Sequence, residues 1–340
     1  MDAVCDRHLL PKSRAESGIA GIEHTAAGNE ECDKFGDRTS YRRGHNEQTV
    51  TPYAGDKNNR IRLLDVASLC VEGSQGHTNE DRCVFASNDR FHLFAVMDGH
   101  GGSLAGDFLV EELLKTLDEV YDDGFDDVKL TDAMEELDRA FCAMASQKID
   151  TSGACLLVVL LFVDSITNIP QKLILNIGDC RAIIHEQPEK VAKQDDTDDA
   201  QVYTKGNTFA LSEDHCANNA KERMRALSSG ADIQNKRIAG VLEPFRTIGD
   251  IDMKGQFMKN WVIATPEIHR SELLVGRSTF VIATDGVWAV LNNDCTMALA
   301  LRKHDDDEMK WSAKSSAQAI IKKARELGSC DDITVIIVSV

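Results

Sequence analysis

Short apolar runs that end on, or begin from, acidic residues restrict the possible folds of this chain more than any other feature. The segment FHLFAVMDGHGG (91–102) stays apolar, apart from one histidine, until it meets an aspartate among glycines. The segment STFVIATDGVW (278–288) also stops at Asp-Gly, and in SCDDITVIIVSV (329–340) two acids lead into an apolar run. Apolar runs of this length, bounded by turn residues, are typical of buried strands. The sequence therefore predicts a sheet core with carboxylates at several strand ends.

Other apolar patterns extend this core and add helices. Strands are predicted at residues 64–71, 82–87, 91–97, 154–164, 171–177, 180–186, 279–284 and 333–340. Helices are predicted at residues 103–121, 130–148, 216–229, 291–302 and 312–326. In the second helix, Thr131 is the predicted N-cap. The strands come in runs with few helices between them, which indicates a sheet-on-sheet core covered by helices rather than an alternating parallel sheet.

Composition divides the chain into two parts. Residues 1–60 are rich in glycine, asparagine and charged side chains, with few aliphatic residues and no periodicity. Such a segment buries too little apolar area to offset the entropy of ordering it, so we expect a disordered N-terminal tail and one domain over residues 61–340. The acidic segment AKQDDTDDAQ (192–201) is predicted to be a solvated loop within that domain.

The charge balance and the cysteines restrict partners and compartment. A formal net charge of −18 disfavours nucleic acid and anionic membranes as partners, because both require a basic face. No stretch reaches the roughly 18 apolar residues of a membrane span, and the N-terminus lacks the apolar core of a secretory signal. Ten cysteines without a CxxC pair are typical of free thiols in a reducing compartment. We therefore expect a cytoplasmic or nuclear protein, or one found in both.

Acidic residues recur at the predicted strand ends. One aspartate at a strand end is usually a turn former. Recurrence at widely separated sites weakens that interpretation, because core strands can bring their ends to one rim. The acids are Glu80 with Asp81, Asp98, Asp179, Asp285, and Asp331 with Asp332.

Carboxylates gathered on one rim would favour metal binding. Clustered carboxylates raise each other's pKa, and bound cations remove that repulsion. Oxygen ligands select hard cations, here Mg²⁺ or Mn²⁺, with Ca²⁺ as an alternative. A glycine beside the acid would also let a backbone carbonyl, such as that of Gly99, approach a metal. Two ions about 3.5–4 Å apart would lower the pKa of a shared water and hold a phosphoryl oxygen. The residues alone thus leave two equal alternatives, a two-metal hydrolase and a set of turn formers.

These acids lie in stretches that resemble the metal-dependent protein phosphatases of type 2C, the PPM family. The matching stretches follow the family's order along residues 63–340, and DGHGG with a downstream DG-x-W and D-[DN]-x-T is a specific combination. They are NED (79–81), VMDGHGG (96–102), NIGDCRA (176–182), LSEDH (211–215), RIAGVLEPFRTIGD (237–250), TPEI (265–268), ATDGVW (283–288) and SCDDITVIIV (329–338). The resemblance implies an α+β fold, a four-layer α-β-β-α sandwich of two antiparallel sheets flanked by helix pairs. It also implies dephosphorylation of phosphoserine and phosphothreonine in phosphoproteins.

The same resemblance implies a binuclear Mg²⁺ or Mn²⁺ site. Asp98 would bridge both ions, with Glu80 and the Gly99 carbonyl completing one site and Asp285 with Asp331 completing the other. Since nothing indicates an obligate oligomer, we expect a monomeric catalytic domain.

Further roles also come from the resemblance. His100 resembles the family's histidine that protonates the leaving alkoxide, with a structural histidine near a turn as the alternative. Asp179 resembles an acid that holds a third, weaker metal. Arg246 resembles an arginine near the substrate cleft, although a structural ion pair is an equal alternative. Trp288 is predicted to pack in the core.

Two positions depart from the family pattern. Many members have a phosphate-gripping arginine where this chain has Gly76, and the adjacent His77 offers only a weaker substitute for it. The family often has an acid directly after the tryptophan of DG-x-W, where this chain has Ala289. We expect weaker phosphate capture and a weaker third-metal site, and we expect an arginine at position 76 to lower KM.

Three functions remain open at this point. The first is an active metal-dependent protein serine/threonine phosphatase, favoured because every bridging-metal ligand is present. The second is a weakly active or inactive pseudophosphatase that acts as a protein-binding module, favoured by the two departures. A calcium-binding protein without catalysis is a remote third, since the ligand rhythm of an EF-hand loop is absent from the sequence.

Overall fold

Two antiparallel sheets lie at the centre of the structure, a computed structural model that describes residues 59–74, 76–187, 206–302 and 311–340. All of these residues belong to one compact unit. The predicted N-terminal tail, except its last two residues, lies outside the described residues, and so does the acidic segment 192–201.

The elements follow the predicted order, with additions. The strands are β1 (Asp65–Val71), β2 (Arg82–Ser87), β3 (Phe91–His100), β4 (Gly153–Val163), β5 (Pro170–Ile177), β6 (Arg181–Glu186), β7 (Asn207–Ala210), β8 (Ile233–Gln234), β9 (Arg237–Ile238), β10 (Ile248–Gly249), β11 (Glu267–Glu272), β12 (Ser278–Ala283) and β13 (Ile333–Ser339). The helices are α1 (Leu104–Val120), α2 (Asp127–Lys148), α3 (Ala220–Ser228), α4 (Asp285–Trp288), α5 (Asn293–Leu301) and α6 (Ala313–Glu326).

The first sheet has the strand order β1-β13-β12-β6-β7, and the second has the order β11-β5-β4-β3-β2, with β10 also paired to β4. Neighbouring strands are antiparallel throughout both sheets. The central strands β3, β4, β12 and β13 are buried along nearly their whole length. They read as continuous apolar runs because both of their faces are covered.

Alternation along β3 shows how the layers stack. Phe94 and Val96 pack into the cluster between the two sheets, whereas Leu93 and Met97 pack into the cluster that includes buried residues of α1 and α2. Successive side chains of a strand point to opposite faces, so one strand contributes to both interfaces.

Strand β13 does the same on the other side. Ile336 and Val338 face the inter-sheet cluster, and Val335 and Ile337 face the cluster formed with α5 and α6. The order of layers is therefore helix pair, sheet, sheet, helix pair, which confirms the predicted four-layer α-β-β-α sandwich.

Two sequence predictions need correction. Helix α2 begins at Asp127, and its N-cap is Asp126, whose carboxylate accepts hydrogen bonds from the backbone N–H groups of Val128 and Lys129. The predicted cap, Thr131, lies inside the helix and donates its hydroxyl to the Asp127 carbonyl oxygen. Strand β11 was not predicted because its sequence, EIHRSE, is polar and partly exposed at the edge of its sheet.

No helix in the described ranges combines the length and the apolar character that a membrane crossing requires.

Candidate metal centre and active site

The ends of the two sheets meet at Asp98 and Asp285. Asp98 lies near the end of β3 in the second sheet, and Asp285 begins α4 directly after β12 of the first sheet. The Asp285 backbone N–H lies 3.4 Å from Asp98 Oδ2. The two carboxylates that were predicted to share a metal therefore come from different sheets and lie side by side.

Glu80 is held beside Gly99 by close backbone packing. A Cβ atom at position 99 would lie 2.4 Å from the Glu80 carbonyl oxygen and 3.2 Å from the Glu80 Cβ. Only glycine allows this approach, since real Cβ contacts are longer. The Gly99 backbone and the Glu80 side chain are thus neighbours, as a shared metal site requires.

Asp332 ties the start of β13 to the segment that carries Glu80. Its Oδ2 accepts a hydrogen bond from the Glu80 N–H at 2.8 Å, and its Oδ1 accepts one from the Gly73 N–H at 2.7 Å. The neighbouring Asp331 accepts only the Asp332 N–H, at 2.9 Å, among the hydrogen bonds within the described part of the chain. Asp331 therefore keeps most of its acceptor capacity for another ligand.

Asp81 joins the two sheets beneath the site. Its Oδ2 accepts hydrogen bonds from the hydroxyl of Thr284 at 2.9 Å and from the hydroxyl of Thr334 at 2.7 Å. The residue is 2% exposed, and burial is the main cause that raises its pKa well above the usual range. Asp81 holds the strand ends of the site in place.

Four of the predicted metal ligands, all aspartates, have raised pKa values. Burial, followed by the charge of Asp285, raises the pKa of Asp98 well above its usual range. Burial, followed by the charges of Asp179 and Asp331, raises the pKa of Asp285 to about 7. Burial raises the pKa of Asp179 to about 6, and burial also raises the pKa of Asp331. Each carboxylate therefore disfavours the ionised form of its neighbours.

Repulsion among these carboxylates is the condition that a bound hard cation would relieve. Across residues 59–74, 76–187, 206–302 and 311–340, no three His, Cys, Asp or Glu side chains form a closed metal-binding cluster. The acids nevertheless lie close enough to raise one another's pKa, and a cation between them would remove the repulsion. The predicted donors are carboxylate oxygens and the Gly99 carbonyl, the kind of set that Mg²⁺, Mn²⁺ or Ca²⁺ prefers.

His100 follows two residues after Asp98 and is paired with a carboxylate. Its Nε2 lies 2.9 Å from both carboxylate oxygens of Asp250. Burial alone would lower the pKa of His100, but the hydrogen bond and charge of Asp250 outweigh it, so that the pKa is raised. Asp179, for its part, accepts a hydrogen bond from the Cys155 thiol at 3.1 Å.

The two predicted substrate-binding residues lie in different settings. The side chain of His77 is 39% exposed, and its Nδ1 lies 3.0 Å from the Thr78 carbonyl oxygen and 4.0 Å from Asp332 Oδ2. The Thr78 hydrogen bond is the main cause that raises the pKa of His77. Arg246 forms an ion pair with Glu222, whose side chain is 4% exposed, and Arg246 also donates to the Thr265 carbonyl oxygen. The structure therefore places Arg246 in the ion pair that was its alternative role.

The positions that depart from the family pattern are both at the surface. Gly76 has a φ of +87°, and a Cβ atom there would meet no atom of the described residues within 4 Å. Ala289 is exposed directly after Trp288, whose buried indole donates to the Ala283 carbonyl oxygen at 2.8 Å. Trp288 is a core residue, as predicted.

Comparison with known proteins decides the family. The sequence profile of the family described as protein phosphatase 2C matches residues 67–333. The chain belongs to the protein phosphatase 2C family. Members of this family are generally metal-dependent.

Similar proteins agree with this assignment. The integrin-linked kinase-associated serine/threonine phosphatase 2C of Homo sapiens is 30% identical over 272 residues, which is 74% of this chain but only 63% of that relative. The probable protein phosphatase 2C 59 of Arabidopsis thaliana is 26% identical over 84% of this chain and 78% of its own length. The crystal structure of serine-threonine phosphatase 2C from Toxoplasma gondii has a TM-score of 0.61 at 17% identity, covering 86% of this chain and 98% of that one. The likeness in structure shows the shared fold.

Within this protein phosphatase 2C domain, Asp81 and Asp332 were predicted only as members of the set of strand-end acids, and Asp250 was given no role. A signal for Asp250 does exist, because Ile-Gly-Asp occurs twice, at residues 177–179 and 248–250, and the first copy ends on the predicted ligand Asp179. No comparable signal separates Asp331 from Asp332, since adjacent acids differ only in the direction that the backbone gives them.

Proposed function

We propose that this protein is a metal-dependent protein serine/threonine phosphatase that hydrolyses phosphoserine and phosphothreonine in phosphoproteins. The observation that carries the proposal is the convergence of Asp98 and Asp285 from two sheets, with Glu80 and Asp331 beside them, in a chain of the protein phosphatase 2C family. A monomeric catalytic domain without nucleic-acid partners, in the cytoplasm or the nucleus, is part of the same proposal.

We assign the ligands of two Mg²⁺ or Mn²⁺ ions as follows. Asp98 would serve both ions, Glu80 and the Gly99 carbonyl would serve one, and Asp285 with Asp331 would serve the other. When bound, such ions lower the pKa of a water molecule and neutralise the charge on phosphoryl oxygens. Asp179 would contribute to a third and weaker site.

The chain's own residues prepare this centre. Asp332 and Asp81 fix the backbone around Glu80 and the strand ends through hydrogen bonds of 2.7–2.9 Å. Burial keeps water from screening the carboxylates, so their charges act strongly on one another. His100, paired with Asp250, would supply a proton to the leaving alkoxide of serine or threonine.

Substrate capture is the weak part of this site. Arg246 is committed to Glu222, Arg82 is buried and paired with Asp107, and position 76 is glycine. His77 is therefore the solvent-exposed basic side chain nearest in sequence to Glu80. A histidine lacks the constant charge and the two-pronged geometry of arginine. We therefore propose a phosphatase with a raised KM rather than an abolished kcat, because a contact made equally to substrate and transition state affects KM.

Hydrolysis of a phosphothreonine peptide, with and without Mn²⁺ or Mg²⁺, tests the proposal. Asp98→Asn and Asp285→Asn should each abolish metal-dependent turnover, whereas Asp132→Asn, which changes an exposed aspartate on α2, should leave turnover unchanged. Turnover that is independent of metal, or that survives both ligand substitutions, would refute the two-metal assignment. A wild-type protein that binds the phosphopeptide without hydrolysing it would support the protein-binding module instead.

A further inference from the structure

A buried carboxylate outside the proposed ligand set is paired with His100. Both oxygens of Asp250 lie 2.9 Å from His100 Nε2, and the two side chains are 6% and 31% exposed, respectively. His100 Nδ1 makes no hydrogen bond to any residue of the described ranges. We propose that Asp250 is a positioning residue that fixes the orientation and tautomer of His100, so that Nδ1 is the nitrogen that serves the leaving group. This inference rests on the proposed phosphatase function.

The backbone around Asp250 is held in an uncommon conformation. Asp250 has a φ of +53°, in the left-handed region that non-glycine residues rarely adopt. Its N–H donates to the Ser152 carbonyl oxygen at 3.1 Å, and the preceding Gly249 N–H donates to Asp138 Oδ1 of α2 at 2.8 Å. Lys254 also donates to Asp138, at 2.7 Å. Strain of this kind persists where the surroundings fix it, and it concentrates at functional sites.

The side chains of His100 and Asp250 pack against β4 at Gly153, which has no side chain. A Cβ atom at Gly153 would lie 2.1 Å from Asp250 Oδ2 and 2.6 Å from His100 Nε2. In the sheet, Gly153 lies opposite His100 on β3 and opposite Gly249 on β10. The absent side chain thus makes the space in which the imidazole and the carboxylate meet.

The carboxylate determines which ring nitrogen can do chemistry. An ionised aspartate only accepts hydrogen bonds, so Nε2 must carry a proton to lie within bonding distance of both oxygens. In the neutral ring, that leaves Nδ1 without a proton, and in the charged ring it leaves an Nδ1 proton free to be donated. An aspartate that fixes the tautomer of a catalytic histidine in this way acts through orientation and does not itself take the proton.

The proton transfer balances as follows. A water molecule that has given one proton to solvent forms a new bond to phosphorus, and the bond between phosphorus and the serine or threonine oxygen breaks. The proton on His100 Nδ1 passes to that oxygen. His100 is left neutral, with its remaining proton on Nε2 and still donated to Asp250, and it regains the Nδ1 proton from solvent.

Asp250→Asn is the discriminating variant, because it keeps the shape and removes the charge. One carboxylate oxygen becomes an amide NH₂ group, which donates, so the ring is free to turn or to place its proton on Nδ1. Glu222→Gln is the matched control, since Glu222 is another buried carboxylate, 3% exposed, and it pairs with Arg225 and Arg246 rather than with His100.

The first readout does not depend on activity. Long-range ¹H–¹⁵N spectra of histidine-labelled protein at alkaline pH, with and without diamagnetic Mg²⁺, report which ring nitrogen carries the proton, and His100→Gln assigns the signal. We expect the Nε2–H tautomer in the wild type and in Glu222→Gln, and a changed or averaged pattern in Asp250→Asn. An Nδ1–H tautomer in the wild type, or an unchanged pattern in Asp250→Asn, would overturn the proposal.

The second readout is the dependence on the leaving group. Asp250→Asn should lower kcat about 10²-fold on a phosphothreonine peptide, whose alkoxide needs a proton, and less than about threefold on p-nitrophenyl phosphate, whose leaving group does not. Glu222→Gln should affect both substrates equally. Adding Asp250→Asn to His100→Gln should cause no further loss, because the two residues act as one unit.

Equal losses on both substrates, or additive effects in the double variant, would refute the positioning role. If the wild-type protein hydrolyses neither substrate with metal present, the proposed function fails, while the tautomer measurement still decides the role of Asp250. The two failures are therefore distinguishable.

Discussion

Replacing Asp285 with asparagine should make the metal-free protein more stable, although it should destroy the metal site. Burial and the charges of Asp179 and Asp331 raise the pKa of Asp285 from 3.8 to about 7. The ionised carboxylate is therefore unfavourable in the folded state, and asparagine keeps the shape while removing that charge.

The sign and the magnitude follow from the pKa. A carboxyl group whose pKa is raised by folding binds more protons folded than unfolded between about pH 4 and pH 7, so the free energy of unfolding falls as pH rises through this window. A shift of about three pKa units corresponds to at most about 4 kcal/mol. Because Asp98 and Asp179 share the same proton equilibria and take up part of the relief, we expect a gain of about 2 kcal/mol above pH 7.

Thermal unfolding in the presence of EDTA measures this gain. A gain of about 2 kcal/mol raises Tm by roughly 4–8 °C for a domain of this size, and we expect this at pH 7.5 but not at pH 4. Addition of Mn²⁺ at pH 7.5 should then raise the Tm of the wild type and have little effect on Asp285→Asn, because a ligand stabilises only the state that binds it. A variant that is no more stable than the wild type at pH 7.5, or equally stabilised at both pH values, would refute the electrostatic reasoning, and Asp132→Asn is the control.

Three further substitutions test other parts of the site. Arg246→Ala should cost about 1.5–3 kcal/mol in urea unfolding, because it leaves the buried Glu222 with Arg225 but without its second charged partner, and a raised KM at unchanged stability would contradict the structural role. Gly153→Ala should lower kcat on a phosphothreonine peptide at least about tenfold, since its Cβ would displace the Asp250 carboxylate and the His100 ring, and an unchanged kcat would contradict the packing argument. His77→Arg should lower KM for the same peptide about five- to tenfold through a bidentate contact with the phosphate, and KM titrations that show no change would exclude position 77 from phosphate capture.

The core strands could be predicted because burial leaves a simple signal. Strands β3, β4, β12 and β13 are covered on both faces, so each is a continuous apolar run with turn residues at its ends. The same reasoning fails at the periphery. The edge strand β11 has no apolar run, and the first turn of α2 has an exposed valine and charged residues, so neither carries a periodic signal.

Residue types alone predict the acids of the site as a set, whereas their individual roles come only from the family resemblance. Asp331 and Asp332 are adjacent acids in the sequence. The Asp332 carboxylate nevertheless accepts hydrogen bonds from the N–H groups of Glu80 and Gly73, whereas the Asp331 carboxylate keeps most of its acceptor capacity. The pairing of His100 with Asp250 depends on a left-handed backbone at residue 250, which the sequence marks only by the Ile-Gly-Asp pattern. The residue type determines which atoms can bind a ligand, whereas the backbone geometry determines where those atoms point.

The loop around Gly76 shows why the residue type at a position and the backbone geometry there must be considered together. From sequence alone, an arginine at position 76 would restore the missing phosphate contact. The φ of +87° at Gly76 makes any L-residue there strained, and no atom of the described residues lies within 4 Å of its Cβ position to support a side chain at its base. By contrast, the Nδ1 atom of His77 already lies 4.0 Å from Asp332 Oδ2. That oxygen accepts a hydrogen bond from the backbone N–H of the proposed ligand Glu80. The departure from the family pattern therefore lies in the path of the loop as well as in a side chain, and phosphate capture in this protein is more readily strengthened at position 77 than at position 76.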